Sequence, residues 1–494
     1  MKFKLFPKIL KHTVFILIVL SLGAGTYLYL DRPEIRAPSD EPFQIILDEN
    51  IDWDAIQIEL TGLLTDLIQI PTIRSEESKV AFYIQKVLAK EGIQAKLIPH
   101  PEFPDKVSLV AEIGPENSEN GIILLNHSDV VEVNAADWEV PPFSGEMKDG
   151  MIHGRGALDM KGMASMELMA FIMVNRMGLK LANKIMFLSV PDEESGGRLG
   201  AQFLLNNHES LFEGYRYVFN EGGFGIKDFP KKNNKMFNVQ TAEKGILGLE
   251  LTAKGNSGHG SMPDKKYSSL DMMKLMLELQ ELQKFQLTDQ TLEFFHHVGS
   301  FFEFPENFLL QRIQNPLVQK ILSKKLMENR AVNAMVTNTI SITSLSTDSS
   351  AHNVIPSESK AYLDIRILPG VDPAKLTEQI QKIADKYKVS IEVKESYSAS
   401  QSNSDTPLFD VLYTVMKDNV PDAEITQYLS PGATDSRYFR AKGFECYGII
   451  PAIISMEDVG MLHGKNEAIS LENLKLGTKV IFETLVGFNQ MESL

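Results

Sequence analysis

The chain has 494 residues, of which 43% are hydrophobic and 23% are charged, and this length predicts two packed units rather than one core. Its formal net charge of -16 argues against a nucleic-acid partner, and most of the surplus carboxylates are expected to form a solvated surface. The single cysteine, Cys446, excludes a disulfide within the chain, so export to an oxidising compartment is tolerated without one.

Residues 1–31 predict a membrane anchor. An uncharged stretch rich in Leu and Ile, residues 13–30, follows four lysines and is long enough to cross a bilayer. Because the basic flank is expected to stay in the cytoplasm, the main body would lie outside it, in the periplasm or the extracellular space. The alternative is a cleaved signal peptide, with Gly23-Ala24-Gly25 as the small residues at the cleavage site, which would give a secreted protein.

After a linker at 32–43, apolar residues with helical spacing alternate with short apolar runs of the kind that form buried strands. This alternation predicts an α/β fold, in which a mixed, mainly parallel sheet is flanked by helices. Three of the runs, at 122–127, 185–194 and 217–221, end on side chains that can bind metals. Since open α/β sheets place their sites beyond the carboxyl ends of the strands, a metal site is expected there.

The first candidate motif is Asn126-His127-Ser128-Asp129. His127 and Asp129 are two residues apart on a strand and project to the same side, so the carboxylate can orient the imidazole while its other nitrogen binds a metal. The second motif, at 154–162, carries Asp159, which is either a helix N-cap or a carboxylate whose two oxygens bridge two cations.

The third motif is Asp192-Glu193-Glu194 at the end of a buried run. Adjacent side chains there point to different sides, so one carboxylate can bind a metal while the other faces the substrate as a general base; a plain acidic loop is the alternative. Glu221 and His463 are less informative by themselves. Five side chains together offer imidazole and carboxylate donors without thiolate, a set that suits Zn²⁺, with Co²⁺ or Mn²⁺ as substitutes: His127, Asp159, Glu194, Glu221 and His463.

The chain resembles the dizinc exopeptidases and amidohydrolases that include aminoacylase, carboxypeptidase S and the secreted N-fatty-acyl-amino-acid hydrolases. The resemblance covers nearly everything beyond residue 44. It rests on these motifs: His127-Ser128-Asp129, Gly154-Arg155-Gly156-Ala157-Leu158-Asp159, Asp192-Glu193-Glu194, Gly258-His259-Gly260-Ser261, Asn353-Val354-Ile355-Pro356, Thr434-Asp435-Ser436-Arg437 and His463-Gly464-Lys465-Asn466-Glu467.

This resemblance implies two zinc ions per chain that share Asp159. One ion would be held by His127 and Glu221, and the other by Glu194 and His463. Where many relatives have an acid before the first of these glutamates, this chain has Asn220.

The resemblance also implies roles in catalysis: Asp129 would orient His127, and Glu193 would be the general base. Two cations acidify a shared water, and the resulting hydroxide attacks the amide carbonyl while the base moves the proton to the departing nitrogen. His259 would polarise the scissile carbonyl, in some members from the partner subunit; a turn residue among glycines is the alternative.

The resemblance further implies a catalytic domain at 44–240 and 398–494, which is interrupted by a smaller α/β lid at 241–397. The lid often dimerises in this family, so a homodimer through the lid is expected. Arg366 resembles the ligand of the substrate carboxylate, with an ordinary ion pair on a strand as the alternative. Three residues resemble the loop whose backbone lies near that carboxylate: Gly432, Ala433 and Thr434.

We therefore predict a membrane-anchored, zinc-dependent hydrolase of N-acyl amino acids or of small peptides with a free carboxylate. The nearest alternative is a true carboxypeptidase, and the alternative without catalysis is a silent, dimeric binding protein on the cell surface. Six phenylalanines between residues 294 and 308 predict lid core or a subunit contact, or else an apolar wall for an acyl chain or the nearby membrane.

Overall fold

The computed structural model describes residues 51–73 and 75–491. The predicted anchor at 1–31 and the linker at 32–43 therefore lie outside the described residues. Within the described ranges, no helix combines the length and the apolar character that crossing a bilayer requires.

The helices and strands of the described chain are numbered in chain order. The α-helices are α1 Trp53–Ile68, α2 Glu77–Lys90, α3 Lys161–Arg176, α4 Ala201–Asn207, α5 Ser268–Gln280, α6 Asp289–Ser300, α7 Glu306–Leu310, α8 Pro316–Met327, α9 Arg330–Val336, α10 Pro373–Lys386, α11 Pro407–Asn419, α12 Ser436–Ala441 and α13 Leu471–Met491. The strands are β1 Ala95–Pro99, β2 Val107–Ile113, β3 Gly121–His127, β4 Glu146–Lys148, β5 Met151–His153, β6 Ile185–Val190, β7 Tyr215–Lys227, β8 Lys235–Glu243, β9 Gly245–Lys254, β10 Gly258–His259, β11 Thr339–Thr347, β12 Val354–Ile355, β13 Glu358–Ile367, β14 Val389–Tyr397, β15 Ser400–Gln401, β16 Ala423–Ser430, β17 Glu445–Ile454 and β18 Ala468–Ser470.

The larger sheet has nine strands in the order β1-β2-β6-β3-β7-β17-β8-β15, with β16 paired to β8. Its central strands β6, β3, β7 and β17 run parallel, whereas β1 and β2 are antiparallel additions at one edge. Every residue of β3 and β6 is buried, as expected for parallel strands covered on both faces. The prediction of an α/β fold with a mixed sheet is confirmed.

Helices cover both faces of this sheet, and the alternation of side chains along β3 divides its residues between two cores. Ile122 and Leu124 pack with α1, α2, α3, α11 and α13, whereas Ile123 and Leu125 pack with α4 and α12. The strand ends are thereby held in place from above and below, and they carry the candidate site.

The inserted lid has a smaller antiparallel sheet in the order β11-β13-β9-β14, which we call the lid sheet. Alternate residues of β13 are buried against α5 and α10, and the opposite face is more exposed. Helices α6 to α9 form a separate core, which includes Met236 of β8 and packs against β16 of the larger sheet. Phe294 and Phe295 lie inside that core, at 6% and 2% exposed, while Phe304 is 62% exposed. These two buried rings belong to that helical core and do not form an open apolar wall.

Candidate metal centre

Three parallel neighbours of the larger sheet bring together three of the five predicted ligands, while Asp159 precedes α3 and His463 precedes β18. β3 ends at His127, and β6 ends just before the short 3-10 turn Glu193–Ser195, which we call the base turn. β7 supplies Glu221, although this strand continues to Lys227 and does not end where the sequence pattern predicted. The pairing of β7 with β17 shifts register around Glu221, and such irregularities re-aim side chains.

Two glycines explain how β7 continues past Glu221. A Cβ atom on Gly222 would lie 1.4 Å from Gln240 Oε1, and one on Gly223 would lie 1.6 Å from the carbonyl oxygen of Asn238. Only glycine therefore lets the irregular part of β7 pass so close to β8. The sequence pattern indicated Glu221 as a candidate ligand, but it predicted the end of the strand at this acid, whereas β7 continues through these glycines.

The five predicted ligands form two groups that share Asp159. In the first group, His127 Nε2 lies 3.1 Å from Asp159 Oδ1 and 3.6 Å from Glu221 Oε1. In the second group, His463 Nε2 lies 3.1 Å from Asp159 Oδ2 and 3.1 Å from Glu194 Oε2. The two oxygens of one carboxylate thus face two different imidazoles.

The donor set fits divalent cations. Ligand atoms of His127, Asp159 and Glu194 all lie within 4.8 Å of one another, as do those of His127, Glu193 and Glu221. Glu194 Oε1 is buried and has no hydrogen-bond partner among the described residues. Buried carboxylates at this density are costly unless positive charge compensates them, so imidazole and carboxylate donors here suit a pair of cations such as Zn²⁺.

The pKa shifts of the centre also favour the binding of cations. Burial raises the pKa of the Glu193 and Glu221 carboxyls well above their usual range. Hydrogen bonds to Asp159 and Glu194 raise the pKa of His463 to about 10. The centre therefore attracts positive charge strongly, and a metal ion and a proton compete for the same donors.

Asp129 connects the two groups. The Nδ1 atom of His127 forms a hydrogen bond with the backbone carbonyl of Asp129 at 3.0 Å, and the Asp129 carboxylate lies at 3.5 Å from the same nitrogen. That carboxylate also accepts hydrogen bonds from the backbone N–H groups of Glu193 at 3.2 Å and Glu194 at 3.1 Å. The spacing of His127 and Asp129 predicted that the carboxylate lies beside the imidazole. It did not indicate the hydrogen bond with the Asp129 backbone carbonyl, or that Asp129 also holds the base turn.

The loop that carries Gly432, Ala433 and Thr434 is anchored by an acid that the sequence pattern did not single out. Glu243, at the end of β8, accepts hydrogen bonds from the Thr434 backbone at 2.9 Å and from its hydroxyl at 2.5 Å. Asn220 donates to the same hydroxyl at 3.2 Å. The amide that replaces the acid of many relatives therefore supports this loop.

His259 and Arg366 contact residues other than the predicted metal ligands. His259 is exposed on β10, and its Nδ1 contacts the Ser261 hydroxyl at 2.8 Å. Arg366 lies on the lid sheet in a forked pair with Asp364, at 2.8 and 3.1 Å, which is the ordinary ion pair that the sequence left open. None of these contacts joins either residue to the metal ligands, so both predicted roles stay predictions.

Comparisons with known proteins agree with this geometry. The family model for Peptidase family M20/M25/M40 matches residues 123–486. N-fatty-acyl-amino acid synthase/hydrolase PM20D1 of Homo sapiens is 28% identical over 448 residues, which are 87% of this chain and 88% of that protein. Probable carboxypeptidase S-like 2 of Dictyostelium discoideum is 26% identical over 486 residues, 95% of this chain and 93% of that protein.

A solved structure has the same fold. The M20 family metallo-carboxypeptidase Sso-CP2 from Sulfolobus solfataricus superimposes with a TM-score of 0.65 at 19% identity, over 87% of this chain and 99% of that chain. The family match spans all five predicted ligands and the base turn. It confirms the predicted resemblance and the prediction of an enzyme that acts on amide bonds. The chain belongs to peptidase family M20/M25/M40.

Proposed function

We propose that the protein is a two-metal hydrolase that cleaves the amide bond of N-acyl amino acids or of small peptides with a free carboxylate. The observation that carries the proposal is Asp159, whose two oxygens each lie 3.1 Å from a different imidazole while Glu193 stands beside the same group. One shared carboxylate between two donor groups is the arrangement that a two-metal site requires.

One cation would be held by His127, Asp159 and Glu221, and the other by Asp159, Glu194 and His463. We propose Zn²⁺ because the donors are imidazole and carboxylate, with Co²⁺ or Mn²⁺ as substitutes. When bound, such cations acidify water and polarise a carbonyl oxygen.

Glu193 is the proposed general base. Its position is fixed because Asp129 accepts a hydrogen bond from its backbone N–H at 3.2 Å. Its carboxylate lies close to those of the ligands without being one of the five. In the proposed reaction Glu193 takes a proton from the attacking water and delivers it to the departing nitrogen, which breaks the carbon–nitrogen bond.

The substrate carboxylate is proposed to meet the loop of Gly432, Ala433 and Thr434, with Arg366 as its charged partner and His259 as the donor to the carbonyl oxygen. The last two residues lie on the lid, so the proposal requires a substrate bound between lid and catalytic sheet. The Homo sapiens relative is named for N-fatty-acyl-amino acids, and the Dictyostelium discoideum relative supports carboxypeptidase activity as the second candidate.

A homodimer through the lid is part of the proposal. β11 is an edge strand of the lid sheet, its nine residues carry no charge, and it exposes Ile342 and Leu345 at 44% and 60%. Uncharged, exposed edges of this kind pair readily with another strand. We also propose that the N-terminal segment tethers the enzyme to a membrane with the catalytic body outside the cytoplasm, on the basis of the apolar stretch at 13–30.

The test is to purify the full-length chain, measure its metal content, and assay N-acyl amino acids of increasing acyl length beside dipeptides. Glu193→Gln is expected to lower kcat by about 100-fold or more while the metal content stays unchanged. Glu483→Gln, which alters a buried glutamate on α13, is the control and should turn over at the wild-type rate. Purified protein without divalent ions, or full turnover by Glu193→Gln, would overturn the proposal. Faster cleavage of dipeptides than of N-acyl amino acids would select the carboxypeptidase.

A further inference from the structure

Glu467 is a buried carboxylate without an assigned role, and it is saturated with hydrogen bonds. Its side chain is fully buried. Oε1 accepts from the backbone N–H groups of Leu158 at 2.7 Å and Asp159 at 3.0 Å. Oε2 accepts from the backbone N–H of Gly156 at 3.0 Å and from Arg155 Nη1 at 2.7 Å. The Glu467 side chain thus binds most of the segment 155–159, which ends at the shared ligand Asp159.

Arg155 makes the reciprocal contact. Its Nη2 donates to the backbone carbonyl of Gly464 at 2.5 Å, and Gly464 directly follows the ligand His463. The guanidinium lies over the ring of Trp138, 5.2 Å from its centroid, and the residue is 2% exposed. Arg155, in the segment that carries Asp159, therefore binds the segment that carries His463. Glu467, in the His463 segment, binds the Asp159 segment through the hydrogen bonds given above.

The His463 segment needs this support. His463 and Asn466 both have positive φ angles, of 57° and 58°, in a region that residues with side chains rarely adopt. The Asn466 side chain accepts a hydrogen bond from the Glu139 backbone at 2.8 Å. A segment with two such residues keeps its shape only where its surroundings fix it.

Resting on the proposed two-metal function, we propose that Glu467 and Arg155 are positioning residues that set Asp159 and His463 at the right separation to share one cation. Asp159 and Glu467 are 308 positions apart in the sequence, so chain connectivity does not align them. The first group depends on this pair only through Asp159, since His127 is held by Asp129 and Glu221 belongs to a central strand. The second group depends on it through both Asp159 and His463, so the pair acts more strongly on the cation of Asp159, Glu194 and His463.

The first experiment measures zinc stoichiometry and affinity by chelator competition in the full-length chain. Glu467→Gln keeps the size of the side chain but turns an amide group toward two of the four donors. We expect the zinc ion of Asp159, Glu194 and His463 to be held about 10- to 100-fold more weakly, and the other ion, which shares only Asp159 with the two supported segments, to lose less affinity. Arg155→Lys keeps the positive charge but loses the two donor groups of the guanidinium. It should therefore weaken the binding of the same ion less than Glu467→Gln does. Glu483→Gln controls for the loss of a buried glutamate and should leave both affinities unchanged.

The second experiment does not depend on metal and separates this proposal from the proposed function. Amide hydrogen exchange is measured in metal-free protein for the segments 154–160 and 461–467. Either substitution should speed exchange in both segments, because each segment supports the other. Faster exchange only in the segment that carries the substitution would overturn the proposal, as would wild-type affinity for both ions in Glu467→Gln and Arg155→Lys. A third outcome separates the two proposals. If the wild-type protein binds no zinc, but either substitution still speeds exchange in both segments, the two-metal function is overturned while the mutual support of the two segments stands.

Discussion

The predicted site residues of the catalytic sheet and those of the lid have different surroundings. His127, Asp159 and Glu194 lie close together near neighbouring strand ends: His127 contacts Asp159, and the Asp129 carboxylate holds the backbone of Glu194. His259 is exposed, and Arg366 is paired with an acid of its own strand. The metal ligands are positioned by the larger sheet and the segments packed beside it, whereas the lid residues depend on how a second unit meets the site.

This difference assigns the two regions different tasks in the proposed reaction. A site for charged groups gains most when its donors are held rigidly in advance. Residues that only need to contact the substrate can be supplied by a part of the molecule that closes on it or by a second subunit. Changes to the metal ligands should therefore alter metal binding, and changes to His259 or Arg366 in the lid should alter kinetics without altering metal binding.

Removing the shared ligand is expected to have the largest effect. Asp159→Ala deprives both groups of a carboxylate oxygen, and the loss of charge stabilisation should lower kcat/KM by about 10³-fold or more. Zinc content, measured by elemental analysis beside the kinetics, should fall as well. Asp149→Asn changes an exposed acid ten positions earlier in the sequence and serves as the control. Full zinc content with wild-type turnover in Asp159→Ala would mean that the two groups do not share a ligand.

His259→Ala tests the lid side of the comparison. Loss of a donor to the developing oxyanion typically costs about 10²-fold or more in kcat, and we expect a loss of that size. The zinc content should not change, since His259 contacts no ligand in the described chain. Ser261→Ala removes the hydroxyl partner of the imidazole and should have a much smaller effect. If His259→Ala turns over normally, the lid contributes no donor to the reaction.

The contrast also separates what the sequence could predict from what it could not. His127, Glu194 and Glu221 follow apolar runs, and parallel neighbouring strands place such runs side by side, so periodicity predicted where a metal site would lie. The assignment of individual ligands came from the resemblance of the motifs. The roles of Glu243 and Glu467 were missed because each accepts hydrogen bonds from backbone groups far away in the sequence, and backbone N–H groups leave no trace in residue identity. The six phenylalanines were ambiguous because an apolar cluster has the same composition whether it forms a core or a surface.

Arg366 should affect substrate affinity. Arg366→Met is expected to raise KM about tenfold for substrates with a free carboxylate, because a charged hydrogen bond is lost, and to leave KM unchanged for the corresponding carboxamides. Asp364→Asn is the matched control, since it releases Arg366 from its present partner and should not raise KM. An equal rise of KM for acids and carboxamides would show that Arg366 supports the lid sheet without reading the carboxylate.

Substitution of Lys244, where β8 leads into the lid, should give the smallest effect. The effect should appear in the free energy of unfolding as a function of pH. Burial lowers the pKa of Lys244 to about 7, and its Nζ contacts the carbonyl oxygens of Ala334 and Thr337 and the hydroxyl of Thr339. Between the lowered pKa and the ordinary lysine value of about 10.4, the unfolded chain binds a proton that the folded chain does not, so stability should rise with pH. Lys244→Met removes this titration, and chemical denaturation of both proteins from pH 7 to 10 should give a flatter profile for the variant. Because the ligands of the catalytic sheet are unchanged, both proteins should retain the same zinc content at each pH; equal slopes would instead assign the pH dependence to other groups.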